Sequence, residues 1–75
     1  MMNTAARLTW TRDTYTGTWS AYAPEFAAHV RKIGGRWYLS TRTFGLPHHE
    51  SQWVRLAEAK ADAATVARIV AESLA

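Results

Sequence analysis

The sequence predicts an α+β domain: an antiparallel β-meander of three to four strands with one C-terminal α-helix packed on one of its faces. Apolar and polar residues alternate through most of residues 7–44, which is the pattern of half-buried strands. A Gly34-Gly35 pair interrupts this alternation as a tight hairpin turn does. From residue 55 the apolar spacing changes to three and four, the period of an amphipathic helix. With 75 residues, the chain is expected to form a single domain, residues 1–75.

The first two strands are expected over residues 7–13 and 18–23. Leu8 and Trp10 alternate with polar neighbours, and a turn that begins with Asp13 and ends with Gly17 follows. Pro24 has no N–H to donate to a ladder, so the second strand is expected to end or bend there. Residues 1–5 are expected to be a loose end.

The glycine pair predicts a two-residue type I′ turn, because that turn needs a positive φ at both central positions. Such a turn opposes Ile33 to Arg36 and each following pair in step, down to Ala27 opposite Arg42. Successive pairs face opposite sides of the sheet. The inner face then collects Phe26, Ala28, Val30, Trp37 and Leu39, with Lys32 near its rim. The outer face collects Ala27, His29, Arg31, Ile33, Arg36, Tyr38, Ser40 and Arg42.

Residues 45–54 are expected to form a loop, because they contain Gly, Pro and Ser. A helix is expected over residues 55–74. Its apolar stripe is Leu56, Ala59, Ala63, Val66, Val70 and Leu74, and largely opposite lie Glu58, Asp62, Thr65 and Glu72. The alternative is a start at Pro47, a favourable first-turn residue, which would add Trp53 to the stripe.

Composition excludes several classes of site. The chain has no Cys, so disulfides, thiolate metal sites and cysteine catalysis are excluded. No apolar run approaches the roughly 20 residues that span a bilayer, and the first ten residues contain no apolar signal core. We therefore expect a cytoplasmic protein with no membrane association. A homodimer that covers a sheet edge or an aromatic patch would add buried area to so short a chain.

The basic charge is concentrated in the predicted sheet. The chain carries a net charge of +3, and residues 1–44 hold six basic against two acidic side chains, a net +4. Arg31, Arg36, Tyr38 and Arg42 share the outer face with His29 and could pair with phosphates and stack on a base. The alternative is that this face is only the solvated side of a small sheet. Trp53 either caps the core or is a further contact residue for a partner.

The spacing of the histidines and of their possible partners in the sequence does not favour a catalytic site or a metal site. His29 opposite Ser40 could mimic a base and a nucleophile, but no carboxylate adjoins them in the predicted register and an open sheet face offers no pocket. The adjacent residues His48 and His49 are expected to point apart, with no third ligand at a suitable spacing. We therefore expect neither an enzyme nor a bound metal or other cofactor.

Two segments carry a family resemblance over roughly residues 26–72. "GGRWYLSTR" is a tight turn followed by a strand with a Trp, and "RLAEAKADAA" opens a helix. This layout resembles the arm-type DNA-binding domain of phage tyrosine recombinases, in which a three-stranded sheet enters the major groove, and also short proteins of actinobacterial phages. The resemblance implies a small binding module for nucleic acid, or alternatively a phage-type protein that binds and modulates a host protein. The predicted loop at 45–53 departs from the family, and no contact residue is carried over.

Overall fold

The computed structural model describes residues 8–43 and 48–74, and it confirms an α+β meander with one helix. The strands run in chain order across one antiparallel sheet, β1-β2-β3-β4-β5. Their bounds are β1 Thr11–Arg12, β2 Trp19–Ala23, β3 Phe26–Ile33, β4 Arg36–Thr43 and β5 His49–Trp53, and helix α1 is Leu56–Leu74. The sheet thus has one strand more than the sequence predicts. Among the described residues, no helix has the length and apolar character that a membrane span requires.

The turn between β1 and β2 forms where the sequence predicts it. The Asp13 carboxylate accepts a hydrogen bond of 2.8 Å from the N–H of Tyr15, and Gly17 has a φ of 78°. The ladder itself is shorter than expected, since only Thr11 and Arg12 pair with β2. The expectations for residues 1–7 lie outside the described residues. At its other end, β2 stops before Pro24, as expected.

The β3–β4 hairpin has the predicted register. Ile33 lies opposite Arg36, Val30 opposite Leu39 and Ala27 opposite Arg42. Gly34 and Gly35 have φ angles of 57° and 83°, which are the left-handed values that a type I′ turn needs. A two-residue turn with this geometry therefore sets which side chains of both strands face the helix.

The core lies between the inner face of the sheet and helix α1, which packs on β3, β4 and β5. Ala59 and Ala63 are fully buried, and their small side chains let the helix approach the strands closely. Thr41, which the sequence analysis assigned to neither face, is buried with them. The buried residues are Ala21, Phe26, Ala28, Val30, Leu39, Thr41, Ala59, Ala63, Ala67 and Val70. Ala67 joins the predicted stripe, whereas the Leu74 side chain lies outside the described part of the chain.

Tryptophans flank this core on the same face. Trp10 and Trp19 are half-buried, and the Lys60 ammonium from the helix lies 5.6 Å and 3.8 Å from their respective ring centroids. Lys32 likewise lies 5.7 Å from the Trp37 ring, at the rim position that the register predicts. These cations cover ring faces that the helix leaves open, and such contacts contribute about 0.5–1 kcal/mol at exposed sites.

The prediction of a loop over 45–54 is wrong for His49–Trp53, which form β5 against β4. The helix begins at Leu56, so the alternative start at Pro47 is wrong as well. The physical reason is that β5 gives the second edge of β4 its hydrogen-bond partners, and strand formation in so polar a segment depends on that pairing and not on local propensity. Residues 45–47 of the predicted loop lie outside the described residues.

The glycine turn should tolerate Asn but not Ala, because both positions have a positive φ, which Asn adopts more readily than Ala does. A Cβ at either position would meet no atom within 4 Å, so only backbone conformation matters. We expect Gly34→Asn to be neutral or to stabilise by up to about 1 kcal/mol, because Asn adopts this φ and narrows the unfolded ensemble. Gly35→Ala should destabilise by about 1–2 kcal/mol. Urea unfolding of the two variants measures this, and equal effects would contradict the turn assignment.

Candidate functional site

The face of the sheet opposite the helix holds most of the predicted site residues. This outer face is formed by Ser20, Tyr22, Ala27, His29, Arg31, Ile33, Arg36, Tyr38, Ser40, Arg42, Glu50 and Gln52. His29, Arg31, Arg36, Tyr38 and Arg42 therefore share one surface, as the register predicts. Trp53 does not belong to it. It lies opposite Trp37 on the inner face, half-buried against the core.

The three arginines of the outer face are exposed and spread along the hairpin. Arg36 and Arg42 stand six residues apart on β4, a separation of about 20 Å along a strand. Arg31 lies between them on β3, opposite Tyr38. Within the described ranges, both ion pairs closer than 4.0 Å are made by histidines. None of the carboxylates that the structure describes forms an ion pair with these three guanidiniums, so they are available to an external anion.

Aromatic rings lie between these charges. Tyr22 is 68% exposed and Tyr38 is 37% exposed. His29, on the strand between them, packs edge-to-face with Tyr22 at a centroid distance of 5.8 Å. Its Nδ1 is 2.9 Å from the Ser20 hydroxyl oxygen, and this hydrogen bond fixes the orientation of the ring. The face therefore combines exposed π surfaces with exposed cations.

A shallow groove runs across the outer face beside Tyr38. Its volume is about 420 Å³, and it is lined by Thr18, His29, Arg31, Ile33, Tyr38, Leu39, Ser40 and Glu50. The sequence predicts an open sheet face without a pocket, and this prediction is wrong. Its lining combines the long side chains of Arg31, Ile33 and Tyr38 with the short ones of Thr18 and Ser40.

The strand β5 brings a carboxylate to the outer face that sequence reasoning did not place there. Glu50 lies opposite Ser40, and its Oε2 is 2.8 Å from His48 Nε2. The same nitrogen is 3.2 Å from the Ser40 hydroxyl oxygen. In a serine triad the acid and the nucleophile bond opposite nitrogens of the imidazole. Here both use Nε2, so the ring cannot pass a proton from Ser40 towards Glu50.

His48 and His49 point to opposite faces, as the sequence predicts. His49 lies on the inner side, where its Nε2 is 3.0 Å from Asp62 Oδ2. No three potential metal ligands come together among the described residues.

A second polar cluster, the inner seam, joins β5 to the helix. It consists of His49, Ser51, Trp53 and Asp62. Ser51 donates its hydroxyl to Asp62 Oδ2 at 2.7 Å, and the Trp53 indole donates to Ser51 Oγ at 2.8 Å. The expectation that Asp62 lies largely opposite the apolar stripe is wrong, because its side chain turns towards β5 and is 20% exposed. The alternation His49, Ser51, Trp53 is the signal that could have indicated a strand here.

The inner seam holds Asp62 in its charged form. Burial alone would raise the pKa of this carboxyl, but hydrogen bonds from His49 and Ser51, with the positive charge of His49, lower its pKa below the ordinary value of 3.8. The polar groups of the seam are satisfied by one another, and no buried side-chain polar atom of the described residues lacks a partner. The seam therefore acts as a structural contact, and the outer face is the better candidate for a site.

Comparison of the chain with protein-family models, with curated proteins and with solved structures gives no match. The resemblance to arm-type domains and to short phage proteins therefore stays a prediction. The five-stranded sheet is wider than the three-stranded sheet of that family.

Removing the Asp62 charge should destabilise the fold and change its response to acid. The folded-state pKa lies below the ordinary value, so the carboxylate contributes stability above about pH 4 that is lost as the pH falls through the folded-state pKa. We expect Asp62→Asn to cost about 1 kcal/mol at neutral pH and to lose less stability on acidification than the parent. Denaturant unfolding at about pH 7 and about pH 3 measures both. Glu72→Gln, an exposed helix position, is the control, and identical acid profiles for all three proteins would contradict this role.

Proposed function

We propose that this protein is a small non-enzymatic module that binds nucleic acid on the outer face of its sheet. The observation that carries the proposal is the grouping of three exposed arginines and two exposed tyrosines on the face that the helix does not cover. Guanidiniums pair with phosphates in a bidentate geometry, and aromatic rings accept stacked bases. One surface of the molecule thus offers contacts for both parts of a nucleotide.

The charge layout of the molecule supports an anionic ligand on this face. Arg31, Arg36 and Arg42 face outward, and Glu50 is the one acidic residue among the residues that define the outer face. The imidazole of His48 pairs with that carboxylate. If the three arginines neutralise about three phosphates of the ligand, we expect a dissociation constant in the micromolar range or weaker. The affinity should then fall steeply as salt is added.

No ion pair among the described residues ties these arginines to the rest of the fold, which is consistent with a role in binding. Their neighbours across the ladder are Tyr38 for Arg31, Ile33 for Arg36 and Ala27 for Arg42, so no carboxylate opposes any of them. Three like charges on one hairpin repel one another and do not stabilise the fold. An external polyanion would neutralise these charges and remove the repulsion.

A protein of a phage host is the second candidate partner. Tyr22, Ile33 and Tyr38 are large exposed apolar side chains on the same face as the arginines. Tyr and Arg are the residue types that dominate protein interface energetics. A pull-down from lysate after nuclease treatment separates the two proposals. A stoichiometric protein that survives nuclease favours this second candidate, whereas nucleic acid in the untreated eluate and no protein after treatment favours the first.

The arginines of the outer face should be required for binding and not for folding. We expect the triple variant Arg31→Gln, Arg36→Gln, Arg42→Gln to melt like the parent, since exposed substitutions change stability by about 0.5 kcal/mol or less. Its affinity should fall at least about tenfold, and the log–log salt slope should decrease by about one unit for each phosphate that the variant no longer neutralises.

The matched control carries the same loss of charge elsewhere. Arg12, Arg55 and Arg68 are exposed, and none of them belongs to the outer face. Their joint replacement by Gln should leave the salt slope close to that of the parent. If both triple variants weaken binding equally, only net charge matters and the outer face is not the site.

Removing the one carboxylate of the outer face should strengthen binding. Glu50→Gln removes a negative charge that is 71% exposed at the β5 edge, so we expect an affinity about twofold to fivefold higher at low salt. The effect should disappear at high salt because the charges are then screened. Glu72→Gln on the helix is the control and should change the affinity less. An affinity that falls with Glu50→Gln would argue against an anionic ligand beside β5.

A further inference from the structure

We infer that the ligand of the outer face is single-stranded nucleic acid, with its bases placed on a diagonal of three rings, Tyr22, His29 and Tyr38. The inference rests on the proposed function and narrows it to one class of substrate.

The diagonal follows from the register of three neighbouring strands. Tyr22 on β2 lies opposite Ala27, His29 is two residues further along β3, and Tyr38 on β4 lies opposite Arg31, two residues beyond His29. Each step therefore moves one strand sideways and two residues along, a backbone separation of about 8 Å, and the Tyr22 and His29 rings themselves approach edge-to-face at a centroid distance of 5.8 Å. The three rings form an oblique line across the centre of the sheet.

Cations adjoin both ends of this ring diagonal. Arg42 lies in the same row as Tyr22, two strands away across Ala27, whereas Arg31 lies directly opposite Tyr38. Arg36 lies one row beyond Tyr38, opposite Ile33. A strand whose bases stack along the rings would keep its phosphates within reach of these guanidiniums. Sheets of four strands bind single-stranded RNA in this way, with aromatic side chains that stack two or three bases.

The width of the sheet disfavours a duplex. The axes of β2 and β5 are separated by three strand spacings, about 14 Å. The major groove is about 12 Å wide and admits a helix or a two-stranded ribbon. Three strands enter a major groove in the arm-type domains, but here β5 adjoins β4 and adds a fourth strand, with the Glu50 carboxylate, to the surface that a duplex would have to accommodate.

The exposure of the rings points to the same ligand class. In a duplex the base faces are already stacked on one another, and a side chain meets only base edges, sugars and phosphates. Unpaired bases, by contrast, offer a π face to any exposed ring, whatever the sequence. Tyr22 is exposed over 68% of its surface, and only a single strand offers an unpaired base whose face can stack on this ring.

Fluorescence anisotropy with labelled oligonucleotides tests the inference on the full chain. The probes are oligo-dT and oligo-U of about 12 nucleotides and a hairpin duplex of similar charge, at about 50 mM salt. We expect one or both single strands to bind at least about tenfold more tightly than the duplex, and the two single-stranded arms distinguish DNA from RNA. Equal or tighter duplex binding overturns this inference and leaves the proposed function standing. If no probe binds, the proposed function falls as well, and the nuclease-treated pull-down then tests the protein partner.

Substitutions of the tyrosines separate the effect of ring stacking from that of apolar side-chain size. Tyr22→Leu and Tyr38→Leu keep an apolar side chain without a ring, and each should lower the affinity for the single strand by about fivefold to 100-fold. Tyr22→Phe and Tyr38→Phe should retain parental affinity, because stacking needs the ring and not the hydroxyl. Tyr15→Leu, in the β1–β2 turn and 98% exposed, is the matched control and should change nothing. Leu variants that bind like the parent, while their circular dichroism shows a folded protein, would overturn the ring diagonal.

Discussion

The two-residue turn at Gly34-Gly35 is the constraint on which the two-faced character of the sheet depends. Because side chains alternate with a period of two, a slip of one residue in the β3–β4 pairing would move every side chain of one strand to the other face. The φ angles of 57° and 83° are those of a two-residue type I′ turn, and a turn of that length pairs Ile33 with Arg36. Val30 and Leu39 thereby reach the core, and Arg31 and Tyr38 reach the solvent.

Helix α1 covers this sheet unevenly, and the polar contacts on the inner face follow from that. Its alanines lie over β3 and β4, while Asp62 reaches β5 through Ser51 and His49. On the other side, Lys60 spans the gap to Trp19. One helix of 19 residues thus secures both flanks of a sheet that is wider than the helix itself. At these two flanks the polar contacts of Asp62 and the cation–π contacts of Lys60 join the helix to the sheet beside the apolar core.

Local signals explain which parts of the fold could be predicted. The hairpin register, the faces of Arg31, Arg36 and Arg42, and the helix follow from turn chemistry and periodicity, which act between near neighbours. The strand β5 and the position of Asp62 do not, because no tight-turn signal in the sequence fixes the pairing of β5 with β4, on which both depend. Seen alone, His49–Trp53 is a polar segment just before a helix, and Trp53 could be placed on either face. Only pairing with β4 assigns it to the inner one.

The candidate site shares its strands with the core, and this explains how so small a domain can hold a surface rigidly. His29 stands between Ala28 and Val30, which are both fully buried. Ser40 similarly stands between Leu39 and Thr41. These two outer side chains are thus anchored by buried neighbours on their own strands, which fix their backbone positions before any ligand arrives. Fixing the site in advance lowers the ordering entropy that binding would otherwise cost. It also separates two roles along one strand, because alternate residues fix the fold and the residues between them remain available to a ligand.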